Sequence, residues 1–338
     1  MRSIAFRTPG PIDRPDALVE RDVPTPEAGG RDLLVEVRAV SVNPVDTKVR
    51  RGLIPGPDDW RVLGWDASGI VRAAGPEATL FRPGDEVFYA GSLNRPGSNS
   101  EFQLVDERIV GRKPASLDWA EAAALPLTAI TAWEALFDRL DIRRPVPGAA
   151  SAILIIGGAG GVGSIAIQLA RELSDLAVIA TASRPETADW CREMGAHHVI
   201  DHSQPLAAQV EALGIGAPGV VFSTTHTDRY VSDIAALIAP QGRLALIDDP
   251  ASFDVMPFKL KSVSVHWELM FTRALFETAD LAEQNKLLDS VAAMVDGGRL
   301  RTTLGERLSP IGADTLRRAH AALESGRTRG KVVIEGWH

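Results

Sequence analysis

The sequence predicts an α/β fold: a doubly wound parallel sheet joined to a β-rich, barrel-like domain. Three observations carry that reading. From Ala152 to Trp267, apolar runs of strand length alternate with helical periodicity, the rhythm of βαβ units. Residues 1 to about 125 give short, valine-rich runs cut by frequent turn signals, as compact β-barrels do. Beyond about residue 271 the alternating rhythm stops. The 338 residues suffice for two cores.

In the first part, Leu33 to Val42 alternates in part and predicts a strand, with Pro24, Pro26, Gly29 and Gly30 as the loop before it. Val62 to Ala74 reads as a strand region broken at Gly64 and Gly69. Arg82 to Asp85 is a turn, Glu86 to Ala90 a strand, Gly91 to Ser100 a loop, and Glu101 to Val105 extended. A helical region follows from Asp118 to Arg139, capped by Ser116 or Asp118 and broken near its middle by Pro126.

The stretch from Ala152 to Ala170 is the most specific in the chain. Ile153 to Ile156 has the length and β-branched content of a buried parallel strand. Gly157, Gly158, Gly160, Gly161 and Gly163 follow within seven residues, and then helix formers from Ile165 to Leu173. Gly158, Gly160 and Gly163 fit G-x-G-x-x-G in strand–turn–helix context, which points to a dinucleotide pyrophosphate site. On this reading Gly158 permits the turn, Gly160 admits the phosphates, and Gly163 lets the helix pack on the strand. The backbone of Gly161 and Val162 at the helix start faces the anion. The charge-free run from Pro145 to Ala170 is long enough to span a bilayer, but glycines so dense disfavour one continuous helix.

The series continues with strands at Ala177–Ala182, His198–Asp201, Gly219–Ser223, Arg243–Asp248 and Ser262–Trp267. Helices are expected over Arg184–Met194, Pro205–Leu213 and Arg229–Ile238. Ser183 would cap the first of these, with Pro185 in its first turn and Glu186 completing a capping box. In the tail, Leu281–Val295 and Gly312–Ser325 read as helices, and Leu304–Leu308 and Lys331–Glu335 as extended.

Net charge is −8, which gives no electrostatic case for nucleic acid or an anionic membrane. Residues 1 to 10 hold no apolar core of a signal peptide, and the single cysteine, Cys191, excludes an internal disulfide; both fit a reducing, cytoplasmic setting. No histidine or cysteine precedes Cys191, so the N-terminal half lacks the usual soft ligands of zinc. His198 and His202 are four apart, but on a strand and its exit rather than a helix.

Five motifs together carry a family resemblance. They are Ser41-Val42-Asn43-Pro44-Val45-Asp46, Pro83-Gly84-Asp85-Glu86-Val87, Leu125-Pro126-Leu127-Thr128-Ala129, the turn from Gly158 to Gly163, and Gly330-Lys331-Val332-Val333. With a β-rich domain before the glycine turn, the chain resembles the medium-chain dehydrogenase/reductase superfamily, in its zinc-free quinone oxidoreductase branch. It is especially similar to proteins called zinc-type alcohol dehydrogenase-like. The resemblance implies a GroES-like barrel over residues 1–125, a Rossmann domain over 126–270, and a tail, 271–338, that returns to the barrel. It also implies a nicotinamide held in the cleft between domains and a homodimer formed by extending the Rossmann sheet near Ser262 to Trp267. Zinc-dependent members would carry metal ligands where this chain has Asn43, Trp65 and Pro126 or its neighbours, so no metal is expected.

For the cofactor, an NAD enzyme carries Asp or Glu at the end of the second strand. Here no carboxylate occurs from Leu176 to Pro185, and Ser183 and Arg184 could bind a 2′-phosphate, so NADPH is expected. Without zinc to polarise a carbonyl, quinones and α,β-unsaturated carbonyls (enones) are the easier hydride acceptors. The candidate catalytic residues are Asn43, which would donate to a substrate oxygen, hold the nicotinamide ribose or be a satisfied loop amide, and Asp46, which would orient a neighbour or the cofactor. Lys48 is a proton donor or a solvated lysine, and Thr128 resembles the family threonine near the nicotinamide. Tyr89, Asn94, Trp267, Met270 and Phe271 are candidate pocket walls, and His266 a cleft or edge histidine. Two rivals stand beside this reading: a zinc-dependent alcohol dehydrogenase, and a non-enzymatic NADPH-binding sensor or structural protein.

Overall fold

The computed structural model describes residues 1–54, 56 and 59–337. They form two compact units, residues 1–130 with the chain from Phe271 onward, and Thr131–Met270. The first division was expected after 125. It falls after Ile130 instead, within a helix that runs unbroken from Pro126 to Trp133.

The first unit begins with β1 (Arg2–Phe6), β2 (Val19–Asp22), β3 (Asp32–Ser41), α1 (Pro44–Arg50) and β4 (Arg61–Val62). It continues through β5 (Ala67–Ala74), β6 (Glu86–Tyr89), β7 (Phe102–Asp106), β8 (Val110–Arg112), α2 (Trp119–Ala123) and α3 (Pro126–Trp133). β3 is its spine. Leu33, Val35, Val37 and Ala39 alternate inward, as a strand with one buried face must. β5 and β7 pair with β3 antiparallel. Gly69 does not break β5 as expected. A Cβ there would sit 2.2 Å from the Glu36 carbonyl oxygen, so glycine is what lets β5 lie against β3.

The helical region expected over 118–139 is three pieces: α2, α3 and a π-helical turn at Glu134–Arg139. Asp118 caps α2, accepting from the Glu121 N–H at 2.8 Å, while Ser116 bonds Asp296 instead. Pro126 starts α3, where its missing N–H costs nothing.

The second unit holds β9 (Ala150–Ile156), α4 (Gly161–Leu173), β10 (Ala177–Thr181), α5 (Pro185–Glu193) and β11 (His198–Ile200). Then come α6 (Leu206–Ala212), β12 (Pro218–Ser223), α7 (Thr227–Leu237), β13 (Arg243–Leu246) and β14 (Ser264–Trp267). The strands form one sheet in the order β11-β10-β9-β12-β13-β14, parallel throughout. The order reverses direction at β9, which makes the end of β9 the topological switch point of a doubly wound sheet. Leu154, Ile156, Val221 and Leu244 pack against Ile234, Leu237 and Ile238 to form the core on one side of it. The charge-free run from Pro145 to Ala170 is thus strand, turn and helix. No helix among the described residues is long and apolar enough to cross a membrane.

The tail gives α8 (Thr272–Phe276), α9 (Glu283–Asp296), β15 (Leu304–Leu308), α10 (Ala313–Glu324) and β16 (Lys331–Glu335). β16 pairs with β3, Val333 facing Ser41, which sets Lys331 beside the exit of β3.

Candidate active site

The glycine turn follows β9 at the switch point. Gly157 takes the left-handed conformation (φ +81°), so it makes the turn that was expected of Gly158. Gly158 is instead packed in: a Cβ there would meet Ala180 at 2.8 Å and the Cys191 sulfur at 3.0 Å. The Gly157 N–H donates to Thr181 Oγ1 (3.0 Å) and the Gly158 N–H to the Thr181 carbonyl (3.1 Å), which locks the turn to the end of β10. Gly160 caps α4, and a Cβ there would come no closer than 3.5 Å to the Gly157 oxygen. At Gly163 the same distance would be 2.2 Å, so the first turn of α4 lies directly on the loop. Gly161, Val162 and Gly163 open α4, where helix geometry leaves N–H groups without a carbonyl partner. Neutral, glycine-lined and donor-rich, this end of α4 is suited to a pyrophosphate.

At the end of β10 the cap differs from expectation. Arg184, not Ser183, is the N-cap of α5, and Thr187 rather than Glu186 closes the box, its Oγ1 accepting from the Arg184 N–H at 3.3 Å. The offset arises because Pro185 occupies the first helical position and fixes the cap one residue before it. Ser183 is left exposed. The Glu186 carboxylate turns back to the Arg184 guanidinium (2.9 Å), an ion pair open to solvent.

In the first unit, the end of β3, the start of α1 and β16 converge on a buried polar cluster. Asn43 caps α1, and Asp46 at its third position accepts the Asn43 N–H (2.8 Å) and the Gly64 N–H (2.9 Å). The Asn43 amide donates to Asp66 Oδ2 at 2.8 Å, and its oxygen accepts from the Lys331 ammonium. Lys331 also donates to Asp66 Oδ2 (2.9 Å) and the Val42 carbonyl (3.0 Å). The other Asp66 oxygen takes the Leu127 N–H at 2.7 Å, one residue before Thr128. Asn43, Asp46, Asp66 and Lys331 are all under 5% exposed, so their charges are balanced within the protein rather than by water. Burial pushes the Asp46 carboxyl up to about 7 against its two backbone donors and Lys331. Burial also pushes Asp66 up, opposed first by Lys331.

Comparison with known proteins places the chain in a family. Residues 29–115 match the family model described as an alcohol dehydrogenase GroES-like domain, and residues 194–334 the one described as a zinc-binding dehydrogenase. A zinc-type alcohol dehydrogenase-like protein of Staphylococcus aureus is 40% identical over 99% of both chains. The chain belongs to the medium-chain dehydrogenase/reductase superfamily. It has the NAD(P)-binding dehydrogenase fold of that superfamily and is one of its oxidoreductases. A quinone oxidoreductase of Pseudomonas aeruginosa is 33% identical over 95% of this chain and 96% of its own. Among solved structures, a candidate zinc-dependent alcohol dehydrogenase from Rhizobium etli is 66% identical, with a TM-score of 0.98 over 100% of this chain and 98% of that one. A mycobacterial protein complexed with NADPH is 27% identical, with a TM-score of 0.84 over 99% and 100%.

Several of these superfamily names mention zinc, and the residues here do not fit that ion. Asn43 and Trp65 are not zinc ligands. Both oxygens of Asp66 are occupied, one of them by an ammonium that a metal would have to displace. Among the described residues no three His, Cys, Asp or Glu side chains gather as a metal site. Trp65 is buried, its indole N–H bonded to the Ser92 carbonyl (3.1 Å) and its ring edge-on to Phe271.

The other candidates are dispersed. Thr128 is buried on α3, and its hydroxyl donates to the Leu125 carbonyl (3.1 Å). Lys48 is half-buried on α1. Tyr89 is buried on β6 with no partner for its hydroxyl among the described residues, and Asn94 accepts from the Ser92 hydroxyl at 2.6 Å. Met270 and Phe271 are core residues, whereas Trp267 is 54% exposed on β14. His266 Nε2 lies 3.2 Å from Ser264 Oγ on that same edge strand. The residue that sequence reasoning missed is Lys331. It stood inside a quoted motif, but no local signal told that its ammonium turns inward to Asp66, 265 residues away.

Proposed function

We propose that this chain is an NADPH-dependent reductase of quinones or α,β-unsaturated carbonyl compounds that works without a metal. Lys331 is the observation that carries the reading. Its buried ammonium, bonded to Asn43 and Asp66, supplies the positive charge of a region that in zinc-using relatives would hold a cation. With no open Lewis acid there, the acceptor must itself spread the charge that hydride delivers, as conjugated systems do.

Bound NADPH would supply the hydride. The N–H groups opening α4 hold the pyrophosphate, and Ser183 and Arg184 the 2′-phosphate. The Arg184–Glu186 pair does not oppose this. An exposed pair contributes about 0–1 kcal/mol, less than a phosphate offers the same guanidinium. Asn43 and Asp46 act as positioning residues, because every amide and carboxylate contact they make is internal. Thr128 has spent its proton on the Leu125 carbonyl, which leaves its oxygen an acceptor rather than a donor. Lys48, half-buried, is the proton donor of the set, with water as its substitute.

The edge strand β14 supports a homodimer. It pairs only with β13 among the described strands, and Trp267, Met256 and Leu260 near it are 54%, 61% and 96% exposed.

The test is a turnover screen following NADPH absorbance with quinones, enones, enals, simple aldehydes and ketones. Quinones or enones should be reduced and simple carbonyls left nearly untouched. Preference for simple carbonyls would favour a zinc-type alcohol dehydrogenase. Consumption at the no-enzyme baseline across the panel, with NADPH still bound, would favour a sensor.

A further inference from the structure

The residue before helix α3 cannot cap it. Pro126 opens the helix with no N–H to offer, and Leu125 ahead of it is aliphatic, so its side chain accepts no hydrogen bond. The Ala129 N–H finds the Leu125 carbonyl at 2.8 Å. The Leu127 N–H, at the second helical position, goes instead to Asp66 Oδ1 at 2.7 Å, on a residue 61 positions earlier in the chain. An N-cap side chain ordinarily serves that N–H. Asp66 serves it from outside the helix, and sets a negative charge at the helix end that favours one.

Asp66 is itself held from several sides. Its carbonyl accepts the Ser41 N–H (3.1 Å) at the end of β3. Its Oδ2 takes the Asn43 amide (2.8 Å) and the Lys331 ammonium (2.9 Å). The residue is fully buried, and each of these side-chain and backbone donors favours the carboxylate over the acid. A single carboxylate thus fastens the start of α3 to β3 and β16. Thr128 comes directly after Leu127, and its hydroxyl donates to the Leu125 carbonyl (3.1 Å). Its backbone and its side chain are therefore both set by the turn that Asp66 fastens. Thr303 holds the same turn from the tail, its hydroxyl donating to the Ala124 carbonyl at 3.0 Å.

We infer that Asp66 is a positioning residue of the reaction, acting through Thr128 by capping α3 from outside that helix. The inference rests on the reductase reading above, in which Thr128 belongs to the catalytic set, and adds a residue whose part shows only in the folded chain. A shift of about 1 Å at a positioned group costs on the order of a hundredfold in rate, so losing the cap should cost about tenfold or more in kcat.

A double-mutant cycle is the experiment. It measures kcat and KM with NADPH and either menadione, a quinone, or methyl vinyl ketone, an enone, for the wild type, Asp66→Asn, Thr128→Val and the double variant, with urea unfolding of each. If Asp66→Asn alone does not fold, Asp66→Asn with Lys331→Met, which strands no charge, takes its place in the cycle. Asp66→Asn should lower kcat about tenfold or more, and in the Thr128→Val background the same change should cost less than about twofold, because residues acting as a unit do not lose twice. Lower stability with kcat unchanged, or an equal loss of kcat with and without Thr128, marks a purely structural cap and overturns the inference. A Thr128→Val protein that turns over like the wild type overturns it too. A wild type that reduces neither acceptor overturns the reductase reading itself, and this inference with it.

Discussion

Lys331 and Asp66 form a buried ion pair. Removing one partner of a buried ion pair strands the other in a low dielectric, at about 3–5 kcal/mol. Lys331→Met should therefore destabilise the protein by about that much in urea unfolding, and adding Asp66→Asn should restore part of it. On the proposed reading, Arg184 serves the cofactor rather than the fold. Arg184→Ala should weaken NADPH about tenfold with a smaller change for NADH, and equal changes in titration would contradict its role. His320 gives a pH test. It is buried against Arg50, whose Nε donates to its Nδ1 at 3.4 Å, and burial holds its pKa down at about 3. The unfolded chain binds this proton near pH 6.5 and the folded chain only near 3. Stability is thus full above about 6.5 and is lost as pH falls toward 3. His320→Asn should lose roughly 1–2 kcal/mol less than the wild type between pH 8 and pH 5, measured by urea unfolding at both.

At the scale of elements, the glycine turn separates folding from binding. Gly163→Ala drives a Cβ to within 2.2 Å of the Gly157 oxygen and should destabilise by about 1–3 kcal/mol while releasing the cofactor. Gly160→Ala meets only an ordinary contact at 3.5 Å, so thermal unfolding should barely move, yet a methyl placed where the phosphates approach should weaken both cofactors. The βαβ half of the chain was legible because buried parallel strands and amphipathic helices each write a strong period into sequence. β1 and β2 were not, since Val19-Glu20-Arg21-Asp22 is a short strand of mostly polar residues in a three-stranded sheet. The cap of α5 slipped by one residue because Ser183 and Arg184 compete for it and Pro185 decides locally. At the first unit's site, the sequence showed which side chains were missing for zinc. It did not show which cation was present, because Lys331 reaches Asn43 and Asp66 only once β16 has paired with β3.

For the whole molecule, the exposed edge at β14 predicts a dimer by light scattering, and Trp267→Glu should shift it toward monomer. A wild type that stays monomeric at micromolar concentration would contradict that assembly. A lysine-centred cluster stands in one unit and a dinucleotide turn in the other, and together they are proposed to serve a reductase that needs no zinc. Elemental analysis of the purified protein, with NADPH-dependent turnover of a quinone or enone before and after chelation, tests it most directly. Substoichiometric zinc and turnover unchanged by the chelator are expected. Stoichiometric zinc, whose removal abolishes turnover and whose return restores it, would contradict it.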